Sequence, residues 1–142
     1  MNSVALGREH HIVDAGWYMD GIGSVVTVRF LSPLTDASFD RFLAALCHSI
    51  DEREGDERWG MLVDAPRAVL VDSAWRRRLA DALEARRDKL ARSLLVFAIA
   101  TPSMLVRSLV KLLLWAAPPP YPAIATGSLE EACEAIAQRM PE

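Results

Sequence analysis

Residues 94–102 read Leu-Leu-Val-Phe-Ala-Ile-Ala-Thr-Pro, and this stretch indicates the class of fold. A short run that is apolar throughout is typical of a central parallel strand buried on both faces. Phe97, in the middle of the run, is therefore expected to be fully buried. Thr101 can cap a helix and Pro102 fits a first helical turn, so a helix should follow the strand at once.

The same alternation of strand and helix continues on both sides of this unit. Apolar residues recur at helical spacing in some segments, and short apolar runs bounded by turn residues lie between them. The predicted elements are a helix over 36–54, a strand over 59–63, a helix from Asp72 or Ser73 to about 92, a helix over 102–116, a strand over 121–125 and a last helix that Ser128 and Glu131 open as a capping box.

The N-terminal segment predicts a β-hairpin. Residues 10–15 and 17–19 have an extended pattern, Asp20-Gly21 is a common two-residue turn, and residues 22–30 form the returning strand. Strands that then alternate with helices favour right-handed crossovers and a mostly parallel sheet of four to five strands with about four helices. With 142 residues, of which 51% are hydrophobic, the chain fits a single α/β domain over residues 1–142.

Charge and hydropathy limit the classes of partner. The formal net charge is only −3, with acidic and basic residues interspersed, so nucleic acid is not an expected partner. The most apolar segment, residues 104–117, is shorter than a membrane span and contains Arg107 and Lys111, so membrane insertion is not expected. The N-terminus lacks the pattern of a secretion signal, which favours a cytoplasmic location.

The motifs that normally carry catalysis are missing from the sequence. It has no glycine-rich phosphate loop, nucleophile elbow, dinucleotide fingerprint or metal-ligand spacing. His10 and His11 are adjacent on a strand and should point to opposite faces. Asp64 and Asp72 are expected at the edge of the sheet where α/β folds bind ligands, but turn and capping roles explain both. We therefore expect no catalytic residues, no metal and no cofactor, and hence no enzyme.

A resemblance to a known family follows from the order of these elements and motifs. The chain reads Leu62-Val63-Asp64, an arginine-rich helix, Val96-Phe97-Ala98, Met104-Leu105-Val106-Arg107, Trp115 before prolines, and Ser128-Leu129-Glu130-Glu131-Ala132. This order resembles the STAS domains of anti-sigma factor antagonists and, over nearly the whole chain, the short bacterial STAS/SEC14-like proteins. The resemblance implies a regulatory or scaffolding module that binds proteins. It leaves open a carrier or sensor of a small apolar ligand.

The same resemblance bears on phosphorylation. Phospho-regulated antagonists open a helix with Asp-Ser-Ser/Thr-Gly, and the second hydroxyl residue accepts the phosphate. The matching stretch is Asp72-Ser73-Ala74-Trp75, which places Ala74 at the acceptor position. A register shifted by one residue makes Ser73 a possible phosphoacceptor in a phospho-switched antagonist. We expect phosphorylation not to be the main switch.

The third predicted helix, residues 102–116, is expected to carry the binding surface. At about 100° per residue, the side that should pack on the sheet groups five apolar residues, with Val106 and Val110 nearby: Leu105, Leu109, Leu112, Leu113 and Ala116. The other side combines apolar and cationic residues, as association surfaces do. The predicted partner-binding residues are Met104, Arg107, Lys111, Leu114 and Trp115. The partner is a protein, which includes a second copy of the chain, and Leu114→Glu with Trp115→Ala is expected to abolish binding.

Overall fold

The computed structural model describes residues 10–14, 17–22, 24–31, 34–54, 57–65 and 73–140. Within these ranges the chain alternates between strands and helices, which confirms the predicted α/β class. The elements are β1 (His10–Val13), β2 (Trp17–Ile22), β3 (Val25–Phe30), α1 (Asp36–Asp51), β4 (Trp59–Asp64), α2 (Ser73–Glu84), α3 (Arg87–Ser93), β5 (Leu94–Ala100), α4 (Met104–Ala116), β6 (Ala123–Thr126) and α5 (Leu129–Arg139).

The described strands form one six-stranded mixed sheet in the order β1-β2-β3-β4-β5-β6. β1, β2 and β3 pair antiparallel, whereas β3, β4, β5 and β6 pair parallel. The prediction of a sheet with four to five mostly parallel strands therefore has the wrong number of strands, because the N-terminal segment contributes three antiparallel strands. Each strand is the spatial neighbour of the next one in the chain.

The predicted turn at Asp20-Gly21 is also wrong. Both residues lie inside β2, where Asp20 is opposite Thr27 and Gly21 is opposite Val26. This register places Trp17 opposite Phe30 and Met19 opposite Val28, and all four of these side chains are buried. A turn at Asp20-Gly21 would lose these pairs, so the apolar contacts of the strands override the local turn preference.

The larger core lies between one face of the sheet and helices α1, α2 and α3. Helix α1 buries Phe39, Phe42, Leu46 and Ile50 at helical spacing. Thr35 is its N-cap, since the Thr35 hydroxyl accepts a hydrogen bond from the Ser38 amide at 3.1 Å. Phe42 packs edge-to-face on Trp17 and Phe30, with ring centroids 5.8 and 5.0 Å apart. The buried apolar members of this core include Trp17, Met19, Val26, Val28, Phe30, Phe39, Phe42, Leu46, Ile50, Trp59, Met61, Val63, Leu90 and Leu94.

The second predicted helix is divided in two, which raises the number of described helices from about four to five. The first part, α2, has no buried residue, whereas α3 buries Leu90 and Ser93. Between them, Arg86 adopts a non-helical backbone conformation, and its side chain donates to the Ala82 carbonyl at 2.9 Å. The break therefore separates a helix on the surface from a short helix packed against the sheet.

A smaller core covers the opposite face of β4 and β5. Helix α5 packs there against Leu62, Val96, Ala98 and Ala100, and its own Ala132 is completely buried. Small residues allow this close approach: a Cβ atom at Gly60 would lie only 2.9 Å from the Met140 sulfur. α5 begins as predicted at its N-cap Ser128, although Glu131 accepts a hydrogen bond from the amide of Gly127 and not from that of Ser128.

The prediction that Phe97 is fully buried is wrong, since its side chain is only half-buried. Residues of β5 alternate between buried and half-buried, because α5 covers the Val96 face more completely than the helices cover the Phe97 face. The Phe97 ring meets Tyr121 edge-on, with centroids 6.4 Å apart. Burial beside this ring raises the pKa of the Tyr121 hydroxyl.

Replacing Phe97 by alanine is expected to cost about 2 kcal/mol of unfolding free energy, less than the 3–5 kcal/mol of a fully buried phenylalanine. The change also hydrates Tyr121, so the pKa of Tyr121 should fall toward its ordinary value. Urea denaturation measures the first effect, and alkaline titration of tyrosine absorbance measures the second. An unchanged midpoint would show that the ring contributes nothing to the core.

Candidate interaction surface

Helix α4 begins and ends at well-defined signals. Ser103 is its N-cap, with the Ser103 hydroxyl accepting from the Val106 amide at 3.2 Å, so the helix begins two residues later than predicted. At its other end the Ala117 amide bonds the Leu113 carbonyl before the run of prolines 118–120. The helix lies against the edge strand β6.

The side of α4 that faces the protein is narrow. Val106, Arg107, Val110 and Leu114 are half-buried, and the helix has no fully buried residue. Arg107 was predicted to face outward, but its guanidinium donates to the Thr101 carbonyl at 2.9 Å. Leu114 also lies on this inward side. The predicted outward orientation of these two residues is therefore wrong, and their role in binding stays a prediction.

The outer side of α4 is apolar and exposed. We call this surface the α4 face, and its large side chains are Met104 (72% exposed), Leu105 (81%), Leu109 (46%), Leu112 (58%), Leu113 (50%) and Trp115 (80%). Met104 and Trp115 are exposed as predicted, and so is Lys111 at the edge of the face. The prediction that the leucines and Ala116 pack on the sheet is wrong, because all of them are exposed.

The error has a physical origin. Apart from Arg107, Ser108 and Lys111, every residue of α4 is apolar, so hydrophobic periodicity does not identify its buried side. Arg107 and Lys111 predict an outer side at their own positions, but Arg107 reaches back to the Thr101 carbonyl directly after β5. The informative feature of this segment of sequence is the spacing of Leu105, Leu109, Leu112 and Ala116, which places an uncharged stripe along one side of the helix.

A groove of about 310 Å³ separates the start of α4 from the end of β6. Arg107, Lys111, Thr126, Gly127 and Glu131 line it, together with Ala125. A Cβ atom at residue 127 would lie 2.9 Å from Nη1 of Arg107. A glycine at this position therefore leaves room for the Arg107 guanidinium. The Glu131 carboxylate accepts from the Gly127 amide at 3.1 Å. Internal contacts therefore occupy several of the polar groups in this groove.

Two arginines of the region from α2 to α3 form ion pairs with α1. Arg86 binds Asp51 through two hydrogen bonds of 2.8 and 3.0 Å, and Arg78 lies 2.7 Å from Asp40. The hydrogen bonds from Arg86 lower the pKa of Asp51. Asp51 and Arg86 also help to line a second groove of about 520 Å³. Two of the arginines in this basic region thus pair with acidic residues of α1.

Of the two carboxylates predicted at the edge of the sheet, one lies in the described part of the chain. Asp64 is buried at the end of β4, and its Oδ2 lies 2.8 Å from Nε of Arg29. A hydrogen bond with Tyr18, followed by the charge of Asp64, raises the pKa of Arg29. Asp72 lies outside the described residues. Among the residues that are described, no group of three or more His, Cys, Asp and Glu side chains could hold a metal ion.

Ser73, the possible phosphoacceptor, is the first residue of α2 and is exposed. Trp75, two residues later, donates its indole N–H to Asp36 at 2.9 Å and stacks on Phe39 with ring centroids 5.1 Å apart. Trp75 therefore has a structural role in joining α2 to α1. Modification of Ser73 stays a prediction.

No protein family and no curated protein matches this chain. The STAS-like assignment accordingly stays an expectation from the order of its motifs. No helix in the described ranges combines the length and the apolar character needed to cross a membrane.

Proposed function

We propose that this domain is a non-catalytic regulatory or scaffolding module that binds another protein through the α4 face. One observation carries the proposal: α4 leaves six large apolar side chains, including Leu105 and Trp115, between 46% and 81% exposed. Contiguous apolar surface of this kind marks interaction sites in otherwise well-packed proteins. We also propose, from the order of the sequence motifs and the N-terminal sequence, that the domain is STAS-like and cytoplasmic.

The composition of the α4 face supports a protein as its partner. Tryptophan and methionine are enriched at the centres of protein interfaces, whereas lysine is depleted there and is found at the rim. Trp115 and Met104 provide such anchors, and Lys111 lies at the edge. The exposed leucines of the α4 face fit the apolar core of an interface.

A role without turnover also fits the polar groups in the described part of the chain. Arg86 pairs with Asp51, and Arg107 donates to the Thr101 carbonyl, so one arginine in each groove makes a contact within the fold. Both grooves are lined mainly by polar and charged residues, which does not favour the alternative of an apolar ligand.

The test compares the wild-type protein with the double variant Leu105→Ala/Trp115→Ala. Both side chains are at least 80% exposed, so the fold should be retained while the α4 face loses its largest apolar groups. This pair replaces Leu114→Glu/Trp115→Ala, because Leu114 faces the body of the protein. Affinity capture from the native host, followed by quantitative mass spectrometry, should show partners that the wild type binds and the variant loses.

The matched control is Leu31→Ala, which removes an exposed leucine distant in sequence from α4. This variant should recover the same partners as the wild type. Equal recovery of partners by the Leu105→Ala/Trp115→Ala variant, with an unchanged circular dichroism spectrum, would contradict the proposal.

A further inference from the structure

We propose that the α4 face binds a second copy of this chain, with the two α4 helices packed antiparallel in a symmetric dimer. The inference rests on the proposed function, since it identifies the protein that this face binds. Three observations favour a second copy over other occupants: the spacing of the exposed leucines, the positions of the charges and the area of exposed apolar surface.

The exposed residues Leu105, Leu109, Leu112 and Ala116 are separated by four, three and four positions. This is the spacing at which one helix presents a continuous seam to another helix. At about 100° per residue the four side chains lie within an arc of roughly 60°. Leu113 and Trp115 flank the seam on its two sides, as the residues beside a helix–helix contact do.

The seam is self-complementary when the helices run antiparallel. Leu109 then lies opposite Leu112 of the partner subunit, and Leu105 lies opposite Ala116 of the partner subunit. A large residue thus meets a small one at both ends, with two leucine pairs at the centre. Antiparallel packing also brings the positive end of each helix dipole near the negative end of the other.

The charges of α4 do not oppose this contact. Arg107 is roughly 170° and Lys111 roughly 130° from the centre of the seam, at about 100° per residue. Two copies can therefore meet without bringing like charges together. A lipid surface fits less well, because both cations lie away from the seam and the chain has a net charge of −3, which an anionic membrane repels.

The exposed apolar area approaches what each partner buries in a standard dimer interface. With Leu113 and Trp115, the seam presents on the order of 600 Å² of apolar side-chain surface, compared with roughly 800 Å² buried by each partner in a standard interface. Symmetry doubles every contact, because each protomer contributes the same surface.

Sedimentation velocity over a range of protein concentrations tests the dimer directly. The wild type should be dimeric at micromolar concentration, and Leu109→Glu or Leu112→Lys should each weaken the dimer by about 100-fold or more, because each buries an unpaired charge. The control Leu31→Glu changes a leucine of the same 46% exposure as Leu109 and should leave the dimer intact. A wild type that stays monomeric at all concentrations would overturn the inference.

An equimolar mixture of the Leu109→Glu and Leu112→Lys chains tests the antiparallel register. In this register the two introduced charges face each other across the seam, so the mixture should form a heterodimer although each variant alone is monomeric. A mixture that stays monomeric, while the wild type dimerises, would overturn the register. This rescue does not depend on a general effect on folding, because unfolded variants would not regain association when mixed.

The outcomes also separate this inference from the proposed function. A monomeric wild type that captures a host protein, with capture lost in Leu105→Ala/Trp115→Ala, would overturn the homodimer and retain the interaction surface. A monomer that sediments with phosphatidylcholine–phosphatidylglycerol vesicles would assign the α4 face to lipid and overturn both.

Discussion

Replacing Trp59 by alanine is expected to lower the free energy of unfolding by about 3–5 kcal/mol, a large part of the stability of a small domain. The indole is completely buried at the start of β4, and its N–H donates to the Ser93 hydroxyl at 3.1 Å. The guanidinium of Arg53 lies over the ring, 4.5 Å from its centroid. The alanine variant loses these contacts and leaves a cavity between β4 and α3.

Guanidinium denaturation of two further variants tests the hydrogen bond of Trp59 and compares this buried tryptophan with an exposed one. Trp59→Phe removes the hydrogen bond and part of the ring, and should cost less than the alanine variant, because Ser93 still donates to the Lys89 carbonyl at 2.7 Å. Trp115→Ala removes a tryptophan that is 80% exposed, and should leave stability nearly unchanged at low protein concentration, where self-association does not contribute. Equal losses for Trp59→Ala and Trp115→Ala would contradict the packing described for β4.

Replacing Ala132 by aspartate should destabilise the fold by about 3 kcal/mol or more, because it buries an unpaired carboxylate. Ala132 is fully buried where α5 meets the sheet beside Ala98 and Ala100. The matched control is Ala137→Asp, which places the same residue on the exposed side of the same helix. This control should cost only a few tenths of a kcal/mol, from the unfavourable charge near the helix C-terminus.

The pH dependence distinguishes a buried carboxylate from simple steric crowding. Burial raises the pKa of the introduced carboxyl, so the folded variant binds that proton more tightly than the unfolded chain does. The stability deficit of Ala132→Asp relative to Ala137→Asp should therefore shrink as the pH falls from neutrality toward about 4, the ordinary pKa of aspartate. A deficit that is constant over this range would indicate crowding alone.

The parts of the fold that the sequence predicts well are those where apolar and charged residues contrast sharply. α1 alternates buried Phe39, Phe42 and Leu46 with exposed Asp40 and Arg41, so its orientation follows from periodicity. β5 is apolar throughout and is, as predicted, a parallel strand, with β4 and β6 as its neighbours. Burial of these side chains dominates the local free energy, which is why the pattern is sufficient.

Prediction failed where several arrangements satisfy the same pattern. α4 is apolar on nearly every side, so its sequence permits more than one orientation, and the contact of Arg107 with the Thr101 carbonyl depends on tertiary structure. The Asp20-Gly21 signal favours a turn locally, but the register of β2 with β3 decides the outcome over a longer segment. The exposed side of α4 therefore follows only from the structure.

The position of α5 has a consequence for synthesis on the ribosome. β3 to β6 pair in chain order, so each strand can join the sheet as it emerges, but α5 follows all of them and packs back over β4 and β5. Leu62, Val96 and Ala98 therefore stay open to solvent until residues 129–139 have been made. During that interval the nascent chain presents an uncovered apolar sheet face, which is the kind of surface that chaperones bind and that drives aggregation.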